Sequence, residues 1–207
     1  EDSDYGFKNL VMLTENGIIK KTPLEAFKNI RRSGLIALKL RKGDLLKKTV
    51  KTTGEDDVVI VTEKGKSIRI KEKDVRPMGK TAAGLIGIRM SKGDKVVSMD
   101  VIRKGEEKPQ HLLVITEKGY GKRTAVKEYR TQGRGGSGIK TANVTSKTGD
   151  IVSARVLREE EDLIVISAKG HVIRTKISPI PKLNRATQGV RIMRLAEGDK
   201  VVSTAFI

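Results

Sequence analysis

Four apolar runs, each closed by a short polar turn ending in glycine, set the rhythm of the chain. They read Leu10-Val11-Met12-Leu13 before Thr14-Glu15-Asn16-Gly17, and Val58-Val59-Ile60-Val61 before Thr62-Glu63-Lys64-Gly65. Leu112-Leu113-Val114-Ile115 then precedes Thr116-Glu117-Lys118-Gly119, and Leu163-Ile164-Val165-Ile166 precedes Ser167-Ala168-Lys169-Gly170. A second glycine follows each turn, at 34, 84, 138 and 189, and opens a further β-rich run such as Gly84-Leu85-Ile86-Gly87-Ile88. A Gly-Asp pair closes the series at 43–44, 93–94, 149–150 and 198–199. Three markers in constant order at a period near 50 residues define a repeat. Short strands punctuated by glycine turns indicate an all-β sandwich, barrel or propeller. Four strands per 50-residue unit select the propeller, about four blades at 8–57, 58–108, 109–160 and 161–207. The continuous apolar first runs suit strands near the centre, buried on both faces. Thr22–Phe27 can form a helical turn, although its counterparts in the other repeats vary in sequence.

Composition narrows the picture. Of 207 residues, 37% are hydrophobic and only 3% aromatic, so the core must be built from Val, Ile and Leu. With no Cys, disulfide frameworks and thiolate chemistry are excluded, and a reducing compartment fits. No stretch approaches the ~20 apolar residues of a membrane-spanning helix, so no membrane partner is expected. The first residue is Glu1 rather than Met, which suggests a piece cut from a longer chain. The net charge of +18 calls for a polyanionic partner.

That charge has a phase within the repeat. Acids collect before each first strand: Glu1, Asp2 and Asp4; Glu55, Asp56 and Asp57; Glu106 and Glu107; Glu159 to Asp162. Four residues beyond each turn glycine stand Lys21, Arg69, Arg123 and Arg174, with Lys20, Lys71, Lys122 and Lys176 beside them. Before each second glycine come Arg31 and Arg32, Arg76 and Lys80, Arg130 and Arg134, and Arg185. In a propeller one repeat position recurs at one height and radius, so a basic phase predicts a basic rim. Such a rim matches the phosphates of a duplex, with binding that weakens steeply as salt rises. The few aromatics (Tyr5, Phe7, Phe27, Tyr120, Tyr129 and Phe206) argue against single strands, which need stacking platforms. A curved track bends its ligand; 20–30 base pairs bent by 40–90° cost about 1–6 kcal/mol, offset by added phosphate contacts. Phosphate contacts position without reading bases, so only weak sequence preference is expected.

These repeats resemble the β-pinwheel repeats in the C-terminal domain of bacterial DNA gyrase A, with the corresponding domain of topoisomerase IV the near alternative. The likeness is carried by Asn16-Gly17-Ile18-Ile19-Lys20-Lys21-Thr22, by Gly119-Tyr120-Gly121-Lys122-Arg123-Thr124-Ala125-Val126 with Glu128-Tyr129, by Gly93-Asp94-Lys95-Val96-Val97-Ser98 and by Ala186-Thr187-Gln188-Gly189-Val190. It runs through all four repeats. The resemblance implies a disc around which duplex DNA wraps to support negative supercoiling, at the nucleoid in the bacterial cytoplasm. It also implies an isolated domain that is monomeric and non-catalytic. The catalytic tyrosine would lie on the rest of gyrase A and the ATPase on gyrase B, within an A2B2 holoenzyme. Six blades are usual there, and the four here resemble blades three to six. The family's box, Gln-Arg-Arg-Gly-Gly-Lys-Gly, normally lies in the first blade. Its counterpart here is Gln132-Gly133-Arg134-Gly135-Gly136-Ser137-Gly138 in the third repeat, with Gly and Ser replacing one Arg and the Lys. Lacking most Cβ atoms, this loop would let backbone N–H groups and the Arg134 fork approach a phosphate, as the main box or, if a first-blade box lies upstream, as an auxiliary one.

No catalytic set, metal or cofactor is expected. Of the two histidines, His171 follows a turn glycine as an exposed strand-start residue, and the Gly-Asp aspartates read as turn formers rather than metal ligands. Tyr120 and Tyr129 read as packing residues or part of the basic surface. The rival function is a protein-interaction propeller resembling the regulator of chromosome condensation, which would present aromatic anchors that are scarce here.

Overall fold

A computed structural model describes residues 6–30, 32–106, 110–158 and 161–207. Among them are fifteen strands in four antiparallel sheets. The first repeat supplies β1 (Asn9–Thr14), β2 (Ile18–Pro23) and β3 (Leu46–Thr52); the second β4 (Asp57–Thr62), β5 (Lys66–Lys71), β6 (Leu85–Ile86) and β7 (Val96–Ile102). The third supplies β8 (His111–Thr116), β9 (Tyr120–Ala125), β10 (Ile139–Lys140) and β11 (Ile151–Leu157); the fourth β12 (Asp162–Ser167), β13 (Val172–Lys176), β14 (Val190–Arg191) and β15 (Val201–Phe206). The anticipated helical turn appears as a 3₁₀ turn at Leu24–Phe27, and despite their different sequences two counterparts also form one, at Glu72–Asp74 and Val126–Glu128.

The apolar runs form β1, β4, β8 and β12, and each pairs on both sides: with the strand across its turn and with the strand after the Gly-Asp pair. Alternation explains why these runs are unbroken. Val58 and Ile60 enter a core shared with the first blade, whereas Val59 and Val61 enter one shared with the third. Leu112 and Val114 likewise face back, and Leu113 and Ile115 face forward. The hydrophobic core therefore lies between blades, and each such side chain contributes about 1.5–3 kcal/mol by leaving water. The strands that touch from sheet to sheet are β3, β7, β11 and β15, so these last strands of each repeat form the hub and the apolar strands stand one place outward.

Sheet order reveals an exchange. The sheets run β3-β1-β2-β6, β10-β5-β4-β7, β11-β8-β9-β14 and β13-β12-β15. The outermost strand of each four-stranded sheet comes from the following repeat: β6 on β2, β10 on β5, β14 on β9. Approach is close at each seam. A Cβ added to Gly17, Gly65 or Gly119 would lie 2.8, 2.7 or 2.4 Å from the carbonyl oxygen of Ile88, Ala142 or Met193 in the next repeat. The equivalent Gly170, beside β13, has nothing within 4 Å.

The Gly-Asp aspartates are turn residues in three repeats. Asp44 accepts from the backbone N–H groups of Asn16 and Leu45, Asp94 from Lys64 and Lys95, and Asp199 from Lys169 and Lys200. Burial pushes the Asp199 carboxyl up, but hydrogen bonds from Ser167, His171 and those two N–H groups outweigh it and hold it at about 2. In the third repeat Asp150 instead pairs with Lys64, 2.6 Å away in the preceding blade.

Candidate nucleic-acid interface

The basic phase divides into three groups once side chains are placed. Lys20 and Lys122, expected on the rim, are buried, and this corrects their assignment to an outward surface. Both lie on strands beneath a loop of the next repeat and direct their protons to main-chain carbonyls. Lys20 Nζ donates to Ala37 O (2.7 Å) and Lys80 O, and Lys122 Nζ to Asn184 O (2.6 Å) and Arg185 O (2.5 Å). Lys80, half-buried, is held through that carbonyl.

Residues four beyond the turn glycine act as bolts between blades. Lys21 is buried and donates to Glu72 O at 2.9 Å in the second repeat. Glu72 is itself buried and accepts from Asn9 (2.8 Å), Thr52 (2.6 Å) and the N–H of Gly54 (2.9 Å). Arg69 donates to Asp57 (2.8 Å) and reaches the carbonyls of Val126 and Tyr129. Arg123 donates to Ile180 O and Ser178 O, both at 2.7 Å. The position therefore reads the turn of the next repeat through its carbonyls, a use of fixed donor geometry that suits arginine. Arg174 is the exception: its side chain is 65% exposed and pairs with Asp162, as does Lys176, which also reaches Glu161. The acids before the strands thus sit against these cations rather than apart from them, which corrects the expected segregation of charge for Asp57, Glu161 and Asp162. Glu1, Asp2, Asp4, Glu107, Glu159 and Glu160 of the acidic sets lie outside the described residues.

Arg123→Ala is expected to lower stability by about 2–3 kcal/mol, because two turn carbonyls lose a charged donor. Arg174→Ala, with its mostly exposed pair, should cost under about 1 kcal/mol. Urea denaturation of the two variants tests the contrast.

The third group faces water. Arg32, Lys71, Arg76, Arg130 and Arg134 are exposed and have no ion pair or hydrogen bond through their side chains among the described residues. Arg31 lies outside the described residues. Arg185 is half-buried, its guanidinium donating to Lys140 O at 2.9 Å. Arg76, Arg130 and Arg134 flank the loops that lead into the exchanged strands, at the outer edge of the blades.

The heptad 132–138 crosses between blades. Gln132 N–H donates to Arg69 O (2.7 Å), Gly135 N–H to Gly87 O (2.7 Å), and Arg89 N–H to Gly136 O (2.9 Å). Packing explains two of its four glycines: a Cβ on Gly138 would lie 2.5 Å from Ser67 O, and one on Gly136 3.3 Å from the Ile68 side chain. Gly133 has open space around it, and Gly133, Arg134 and Ser137 are the heptad residues exposed to solvent.

One cation cluster escapes the periodic reading. Lys118, Lys147, Arg191 and Arg194 gather round Tyr120 in an open cleft of about 510 Å³. Arg191 and Lys147 lie 5.5 and 5.7 Å from the Tyr120 ring, and Arg191 donates to its hydroxyl at 3.0 Å. Lys147, Arg191 and Arg194 lie outside the basic phase, so that reading misses them; the available signal was the third repeat's two additional residues between Gly138 and Gly149. Tyr129 is packed, with its hydroxyl 2.8 Å from Thr141 Oγ1, and burial pushes its phenol up.

Comparison with known proteins agrees with this architecture. The profile of the family described as "DNA gyrase C-terminal domain, beta-propeller" matches residues 8–50, 56–103, 110–158 and 161–207. The chain is 43% identical over 204 residues to DNA gyrase A of Staphylococcus epidermidis, covering 99% of this chain and 22% of that protein. It is 41% identical to DNA gyrase A of Mycolicibacterium smegmatis, covering 99% of this chain and 24% of that protein. The chain thus spans about a quarter or less of these relatives. Its fold is similar to a solved DNA gyrase A C-terminal domain (TM-score 0.84, 24% identity, 97% of this chain and 66% of that one). It is also similar to a solved C-terminal domain of DNA topoisomerase IV (TM-score 0.89, 24% identity, 99% and 64%).

Proposed function

The chain belongs to the DNA gyrase C-terminal β-propeller family, and we therefore propose that it binds duplex DNA along its outer edge and bends it. The observation that carries this reading is the sorting of the cations. Most arginines and lysines of the basic phase are occupied within the protein, yet Arg32, Lys71, Arg76, Arg130 and Arg134 are exposed and unpaired among the described residues. These cations have no partner to give up, and the four arginines present a planar fork suited to phosphate oxygens. Gly133-Arg134 would supply one fastening point, and the Lys118–Arg194 cluster round Tyr120 another. The domain takes no chemical step. DNA cleavage and ATP hydrolysis belong to the rest of gyrase A and to gyrase B, in the bacterial cytoplasm, and the domain supports negative supercoiling by holding a bent segment.

The test is topological. A nicked plasmid is ligated around the protein and its linking number read after deproteinisation. A shift that grows with protein concentration is expected, and binding should weaken with salt at a log–log slope near −0.9 per phosphate contact. Duplex binding with no linking-number change would leave a binding domain that does not wrap.

A further inference from the structure

We propose that Lys122 is a positioning residue for DNA binding, its buried ammonium latching the loop 183–188 so that Arg185 holds a fixed place on the rim. The inference rests on the DNA-binding reading above. Lys122 Nζ has three protons and three acceptors: Asn184 O at 2.6 Å, Arg185 O at 2.5 Å and Thr187 Oγ1 at 3.0 Å. All three belong to the loop that leads into β14, and Thr187 also donates to Asn184 O at 2.8 Å. One side chain of β9 thereby gathers the turn that carries Arg185.

The fold does not need a cation there. Three residues beyond the turn glycine, β5 has Ile68, fully buried, and the loop above it is the glycine-rich heptad, held by main-chain bonds. In the first blade the position is Lys20, whose ammonium holds Ala37 O and Lys80 O. The same architecture thus accepts an apolar residue where the loop above is packed by glycine, and uses a lysine where that loop is not. Burying an ammonium is costly even when its protons are satisfied. The charged groups that act on Lys122 are Glu128, from the turn after β9, and Arg185 itself. Burial pulls its ammonium down from 10.5 to about 8, Glu128 opposing and Arg185 assisting.

This arrangement gives two opposite pH signs. Between about 8 and 10.5 the unfolded chain holds the proton that the folded chain has lost, so Lys122 makes the fold more stable as pH rises. Over the same range the neutral amine has two protons for three acceptors, so the loop loosens and duplex binding weakens. A residue that only supported the fold would move both quantities together.

The experiment measures duplex affinity at low salt from pH 7 to 9.5, with hydrogen-exchange protection of residues 184–188, in the full chain and in Lys122→Met. The original chain is expected to lose roughly tenfold in affinity across this range, while its urea midpoint rises and loop protection falls. Lys122→Met should bind weakly and independently of pH, with low protection throughout. Equal affinity in Lys122→Met, or a flat pH profile in the original chain, overturns the proposal. Should the variant not fold, the pH series on the original chain decides alone. Absence of duplex binding at pH 7 would instead sink the DNA-binding reading, and loop protection, which needs no DNA, would still judge the latch.

Discussion

Gly119→Ala is expected to destabilise the protein by about 3–5 kcal/mol, against about 1–2 kcal/mol for Gly170→Ala, measured as urea midpoints with unchanged slopes. Both glycines end the same turn and have nearly the same backbone, φ +75° and +83°. Both substitutions therefore incur the left-handed penalty of an L-residue, about 1–2 kcal/mol. Only the first meets a neighbour: the new Cβ would lie 2.4 Å from Met193 O, a backbone atom that a rotamer change cannot move aside. Relief requires β14 to lift from β9, which breaks the hydrogen bonds of Ile192 and Met193 N–H to Gly119 O and drags Met193 from its core. Equal effects at the two positions would mean that the exchanged strand contributes little to stability.

The second large effect is on binding. Replacing Arg76, Arg130 and Arg134 together by Ala should reduce the salt slope of duplex affinity by about 2.7, and replacing all three by Glu should remove measurable binding at physiological salt. Circular dichroism and thermal midpoint should stay as in the original chain, because these side chains are exposed and unpaired among the described residues. Arg123→Ala serves as the opposite control, shifting the melt through lost carbonyl contacts. A triple variant that keeps its salt slope would remove these arginines from the interface.

The repeat, the strands and the propeller were legible because burial on two faces forces unbroken apolar runs, and turns force glycine at fixed places. The exchange was not. Gly84, Gly138 and Gly189 recur visibly, but the atoms that require them, Ile19 O, Ser67 O and Gly121 O, belong to the preceding repeat. No local pattern says which repeat a strand will pair with. The basic phase was equally visible, yet sequence spacing cannot tell a lysine facing phosphate from one facing a carbonyl. The alternation Lys20, Ile68, Lys122, Ile173 at one strand position held the clue, since a position that takes isoleucine in two repeats faces inward, as buried Ile68 does. Acids before the strands looked segregated in sequence, but antiparallel pairing sets Asp57 opposite Lys71 and Asp162 opposite Lys176. Pairing brings together what the order of residues holds apart.

The exchanged strands also set an order of assembly. While the chain emerges from a ribosome, the first sheet has its three local strands by Thr52 but no fourth until Leu85–Ile86 has followed. The second waits for Ile139–Lys140 and the third for Val190–Arg191. Each blade therefore matures only when roughly one further repeat has been made, and its stability is the joint property of two neighbours. Folding of such a chain runs as a relay, in which every repeat closes the one before it.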